Sequence, residues 1–280
     1  MVELPIVIAS AFFTIGTIIF IIGVLLNLRI WLLGSESIIG TFKEVISTLI
    51  NPKFWSTILK TFITKIFGQY KLYKIDNLRG IEKCCFVTFY VLVILANHIA
   101  ADIASGAKTL TEFIIEFFKS PFFPGYIFSE LGAELNGFWI AFLFIDNFAM
   151  VMVFLSEGLV MYRRFIKKYF IFATKEDVIG LLLPVIWFIF RWIAEAATIV
   201  KFGTPSGSHY MFIAYLISRP LTLLTPNQVE ILYSIMWPAS GFFLSLFFGL
   251  IPYTGRLWHA FAGPITMLLN SVPYKKEVLR

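Results

Sequence analysis

"IVIASAFFTIGTIIFIIGVLLNLR", residues 6–29, carries no charged side chain before Arg29. A helix needs about 20 apolar residues to cross the hydrocarbon core of a bilayer. The run therefore reads as a spanning helix over 6–28. A cleaved leader is not expected, because Glu3 stands where a basic segment would be, the run is too long, and Arg29 ends it. Four more runs of the same kind lie at 84–104, 138–160, 178–200 and 231–254. Composition agrees: 59% of residues are hydrophobic, 14% are charged, and there are 32 phenylalanines. The mean hydropathy is +0.83. That is more apolar surface than a soluble core could hide. The expected fold is all-α and integral to the membrane: a five-helix bundle using residues 1–280 as one domain.

Basic residues set the expected orientation, since loops rich in Lys and Arg stay on the cytoplasmic side. The segment between the first two spans includes Lys43, Lys53, Lys60, Lys65, Lys71, Lys74 and Arg79. After the third span come Arg163, Arg164, Lys167 and Lys168, and the tail holds Arg256, Lys275, Lys276 and Arg280. The other two loops are poor in basic residues. This places the N-terminus outside, the C-terminus in the cytoplasm, and the protein in the cell membrane. The net charge of +6 belongs to those cytoplasmic faces. It suits anionic lipid headgroups or an acidic partner, and nothing points to nucleic acid. Cys84 and Cys85 are adjacent at the cytoplasmic mouth of the second span, where a disulfide is not expected.

Two connections are too apolar to be ordinary loops. In "TFKEVISTLINPKFWSTILKTFITKIFGQY" (41–70), Val45, Leu49, Trp55, Leu59, Phe62 and Ile66 recur near helical spacing with lysines between them. "LTEFIIEFFKSPFFPGYIF" (110–128) is similar but more acidic. Both suggest amphipathic helices lying in the interface, over about 40–70 and 110–130. They either pack on the lipid surface or, for the cytoplasmic one, dock a soluble subunit.

Ionisable side chains inside a span are costly, on the order of 2.5–3.5 kcal/mol each, and so mark functional candidates. Among them are His98, Asp146, Arg191 and Glu195. All four fall in the outer half of the bilayer when depth is counted at about 1.5 Å per residue. Arg191 and Glu195, four residues apart, share a helix face. Arg191 could equally pair with Asp146. Either these groups lock three helices together, or they line a pocket in which His98 holds a cofactor. In that pocket Arg191 would face the cofactor's carboxylates or a lipid-soluble carrier. His209 lies in an outer loop and His259 near the cytoplasmic surface.

Several short motifs then fall into a familiar order. "FIIGVLLNLRIW" (20–31), "NLRGIEKCC" (77–85) with "ANHIAADI" (96–103), "LSEGLVMYRRFIKKYF" (155–170), "KEDVIGLLLPVIWFIF" (175–190) and "IPYTGRLWHAFAGPI" (251–265) run through nearly the whole chain. In this order they resemble the membrane cytochrome b subunits of respiratory nitrate reductase (its gamma subunit) and of heterodisulfide reductase. The long connection before the second span looks more like the latter.

The resemblance implies b-type haems, one near each face, carrying electrons between a quinone-type carrier and a cytoplasmic iron-sulfur subunit. His98 matches the outer histidine of the second helix and His259 the inner histidine of the fifth. Each implied site lacks its second histidine: Lys83, Cys84, Cys85 or Thr88 stand at one place, and Gly241, Ser240 or Met236 at the other. Haem iron also accepts Met or Cys opposite His. Met236 or His209 could therefore complete the outer site, and Cys84, Cys85 or Lys83 the inner one. One haem, two, or none are all compatible with these departures. Arg191, Asp146 and Glu195 are the candidates for the carrier site. The alternative is a haem-free membrane anchor of a respiratory complex. A transporter has less behind it, since the sequence shows neither an inverted repeat nor a pair of broken helices. No phosphate loop, Cys-x-x-Cys cluster or activated nucleophile suggests catalysis by this chain alone.

Overall fold

The computed structural model describes residues 3–32, 50, 52–61, 63–64, 77–131, 135–167, 175–254 and 258. Among them all regular structure is helical: α1 (Leu4–Leu32), α2 (Pro52–Thr61), α3 (Asn77–Ser105), α4 (Leu110–Lys119), α5 (Phe123–Leu131), α6 (Gly137–Met161), α7 (Lys175–Lys201), α8 (Phe212–Leu221) and α9 (Pro226–Leu250). Five stretches are long and apolar enough to cross a membrane: Leu4–Asn27, Cys84–Ser105, Gly137–Met161, Val178–Lys201 and Pro226–Tyr253. These match the five expected spans to within a few residues.

Helix starts follow local chemistry. Asn136 accepts hydrogen bonds from the amides of Phe138 (3.1 Å) and Trp139 (3.3 Å) and so opens α6. Thr225 and Gln228 form a capping box at α9, with Pro226 in the first turn, where its missing N–H costs nothing. Thr109 and Glu112 do the same for α4.

The spans form a row and a pair. In the row, α9 lies between α1 and α7. Helices in lipid gain little from hydrophobicity and pack through small residues instead. Ala9, Gly16 and Gly23 recur every seven residues on α1, facing Gly241, Ser245, Gly249 and Pro252. The backbones meet so closely that a Cβ on Gly241 would lie 2.5 Å from the carbonyl oxygen of Ala9, and one on Gly16 would lie 2.6 Å from that of Ser245. Against α7, α9 stacks Phe243 on Phe190 (ring centres 5.0 Å apart), and its Trp237 Nε1 donates to Thr198 Oγ1 at 3.1 Å. The pair is α3 with α6. At one end of the bundle, Lys201 Nζ reaches Glu3 Oε2 (2.6 Å) and Glu230 Oε2 (2.9 Å), tying the ends of α1, α7 and α9 together. We call this the Lys201 end.

Two features depart from expectation. The segment 110–130 is not one interfacial helix but two helices joined by a 3₁₀ turn at Ser120–Phe122. α4 is amphipathic and leaves Leu110, Phe113, Ile114 and Ile115 exposed, but α5 is drawn into the bundle. Phe122, Phe123 and Ile127 are fully buried, and Tyr233 Oη donates to the Gly125 carbonyl at 3.3 Å. Aromatic bulk on both faces of this segment makes burial against the spanning helices more favourable than a surface position. The expected loop at 201–230 contains α8, whose Ala214 and Ser218 are buried. Of the expected interfacial helix at 40–70, α2 is described, with Trp55 and Leu59 exposed. The rest of that segment lies outside the described residues.

Candidate functional site

Four buried polar residues converge where α3, α6 and α7 meet. Asp146, Arg191 and Glu195 have no exposed surface, and Asn97 is 1% exposed. Nine residues separate Asp146 from the start of α6, and ten separate Arg191 from the end of α7. At about 1.5 Å per residue both lie some 13–15 Å along their helices from the Lys201 end.

Arg191 is the hub. Its Nη2 donates to Asp146 Oδ2 at 2.8 Å and to Asn97 Oδ1 at 3.3 Å, and its Nε donates to Glu195 Oε1 at 2.9 Å. Asn97 Nδ2 donates to Asp146 Oδ1 and, at 2.7 Å, to the Val93 carbonyl. The guanidinium carbon also lies 5.8 Å from the Trp187 ring centre, within cation–π range. Breaking such a desolvated pair by removing one partner typically costs about 3–5 kcal/mol. Two atoms of the cluster lack partners: Arg191 Nη1 and Glu195 Oε2. Ser240 Oγ on α9 is likewise buried without a partner. The Trp237–Thr198 bond and the Phe243–Phe190 stack set the register of α9 on α7, which puts Ser240 level with Glu195.

His98 stands apart from this cluster. Its ring meets Phe113 (4.6 Å between centres) and Phe117 (5.2 Å) edge-on, and Nε2 lies 3.5 Å from Asp102 Oδ2. From there aromatic rings continue without a break to α9. Phe117 is 6.4 Å from Phe13, Phe13 is 6.4 Å from Phe122, and Phe122 is 6.1 Å from Trp237. Both ring nitrogens of His98 are buried without a hydrogen-bond partner, and the ground between its ring and α9 is occupied by these aromatic side chains. At Gly241 the backbone of Ala9 leaves no room for a ligand side chain.

The other expected ligands are scattered. His209 sits in the 3₁₀ turn Ser208–Tyr210, against Tyr210 at 4.3 Å. Cys84 and Cys85 are half-buried free thiols in α3, with Cys84 Sγ 4.0 Å from Thr88 Oγ1. Lys83 precedes them in the same helix. His259 lies outside the described residues. Among the described residues, no group of three or more His, Cys, Asp or Glu could hold a metal ion.

Sequence reasoning found Asp146, Arg191 and Glu195 but missed Asn97, which precedes His98 and was overshadowed by it. The available signal was a lone amide in an otherwise apolar helix one residue from the flagged position.

The fold and the cluster define a multi-pass helical membrane protein with a buried acid–base network. No protein-family model, curated protein or solved structure matches the chain. The resemblance to cytochrome b subunits thus rests on the short motifs themselves.

Proposed function

We propose that the chain is a haem-free subunit of the cell membrane that anchors a soluble partner at the bilayer. The observation that carries this reading is the unbroken run of rings from His98 through Phe117, Phe13 and Phe122 to Trp237. Arg191, Asp146, Glu195 and Asn97 serve to lock α3, α6 and α7 into one body. The proposed dock is the basic surface of the cytoplasmic segments, with the N-terminus outside as the lysine and arginine distribution suggests. Anionic lipid headgroups share that surface.

The test is a dithionite-reduced minus oxidised spectrum, with a haem count, on the protein purified with its partners in mild detergent. The expected result is no haem stoichiometric with the chain, together with a soluble protein in stoichiometric amount that high salt releases. A b-type signal lost on His98→Ala would overturn the haem-free reading, and so would the absence of any salt-releasable partner for the anchoring role.

The motif around His259 favours a second reading, in which this chain is an electron-transfer subunit between a quinone-type carrier and an iron-sulfur partner. Its mark is a b-type signal that survives His98→Ala and disappears in His259→Ala.

A further inference from the structure

The buried cluster does not balance. It has one guanidinium, Arg191, and two carboxyl groups, Asp146 and Glu195, none of them exposed. With all three ionised, one negative charge is left over in the interior of the bundle, where an uncompensated charge costs several kcal/mol.

The hydrogen bonds say where that charge would fall. Both oxygens of Asp146 are filled, one by Asn97 Nδ2 and one by Arg191 Nη2. Glu195 Oε1 takes Arg191 Nε, and Glu195 Oε2 takes nothing. A bare carboxylate oxygen in a dry interior is the costliest way to leave this arrangement, and a proton on it removes the cost. A metal cation is a poorer answer, because it needs several oxygen ligands. Here the free oxygens are that one carboxyl oxygen and, on α9, the partnerless hydroxyl of Ser240 at the same level. A proton needs one.

Among the described residues, the surroundings bring no further compensating charge. α3 contributes Asn97 and α6 contributes Asp146. α9 contributes Ser240 and Trp237, whose indole is bonded to Thr198. α5 adds Tyr126, and α8 brings the exposed Tyr215–Arg219 pair. Glu195 lies six residues from Lys201 and the exposed Glu230 beside it. At about 1.5 Å per residue that is some 9 Å of helix between the site and the polar end of the bundle.

We propose that Glu195 is a proton-binding site inside the membrane bundle, taking one proton from water at the Lys201 end onto Oε2 and returning it there. Arg191 and Asp146 are its positioning residues: they hold Oε1 and leave Oε2 free. The proposal stands whether or not the chain anchors a partner, since it depends on the charge count and the free oxygen alone.

Infrared spectroscopy of the purified protein at neutral pH tests it by the carbonyl band of a protonated, buried carboxyl group. The band is expected in the native protein and absent in Glu195→Gln; in Asp146→Asn it should weaken, because Arg191 then balances an ionised Glu195. Thermal unfolding gives an independent measure. Glu195→Gln reproduces the protonated form and should unfold within a few degrees of the native protein, whereas Asp146→Asn should unfold clearly earlier. The proposal is overturned if the band is missing at neutral pH, if it survives Glu195→Gln, or if the two substitutions destabilise equally.

Discussion

Arg191 Nη2 stands 2.8 Å from Asp146 Oδ2 with neither side chain exposed, and this pair joins α7 of the three-helix row to α6 of the α3–α6 pair. Few other contacts link α6 and α7 along their length, apart from rings such as Phe154 on Trp192 at 5.1 Å. The ion pair accordingly carries much of the docking of one half of the bundle on the other.

Removing the cation should do more harm than removing either acid. Arg191→Met leaves Asp146 and Glu195 facing each other without a donor between them. A loss of about 3–5 kcal/mol is expected, as for other buried pairs broken on one side. Unfolding in mixed micelles of rising denaturing detergent, followed by circular dichroism, would measure it. A loss below about 1 kcal/mol, the scale of an exposed pair, would mean that water reaches the cluster.

Much of this was legible in the sequence, for physical reasons that differ by residue. The spans could be read because a membrane demands long uncharged runs, and 178–200 or 138–160 admit no other use. Arg191 and Glu195 could be paired from their spacing alone. The burial of α5 could not, since "FPGYIF" (123–128) is equally apolar whether it faces lipid or protein. α8 escaped notice because its ten residues, Ser218, Arg219 and Pro220 among them, are too few and too polar to span. Gly241 was read as the place of a missing histidine. Its neighbours Ser245 and Gly249, at four-residue spacing, mark instead a helix–helix seam.

That seam gives the next expectation. A side chain at Gly241 must push α9 away from the backbone of Ala9, which cannot yield as a flexible side chain would. Gly241→Val should cost on the order of 1–3 kcal/mol, the usual range for overpacking. Gly137→Val, where a Cβ meets nothing within 4 Å, is the control that isolates crowding from the loss of a glycine. The same detergent unfolding experiment separates the two.

Orientation can be read with thiol labelling. With Cys84 and Cys85 replaced by Ser, Lys108→Cys and Lys167→Cys each place one thiol at an exposed position on opposite ends of the bundle. A membrane-impermeant maleimide applied to intact cells should label the first and spare the second until the cells are opened. The reverse pattern would turn the whole topology over.

At the start of α4, Glu112 accepts from the amides of Lys108 (2.7 Å) and Thr109 (3.0 Å). These bonds favour the charged form and hold its carboxyl below the usual glutamate range. A group whose folded value is depressed contributes stability above its unfolded value and loses that contribution as pH falls through the folded one. Acid should therefore loosen the first turn of α4. Amide hydrogen exchange at Lys108 and Thr109, corrected for the intrinsic rate, should quicken below the ordinary glutamate range. Glu112→Gln, whose amide oxygen can accept as Gln228 does at α9, should lose that dependence while keeping slow exchange. If the native protein and the variant exchange alike throughout, the carboxylate is not what orders this turn.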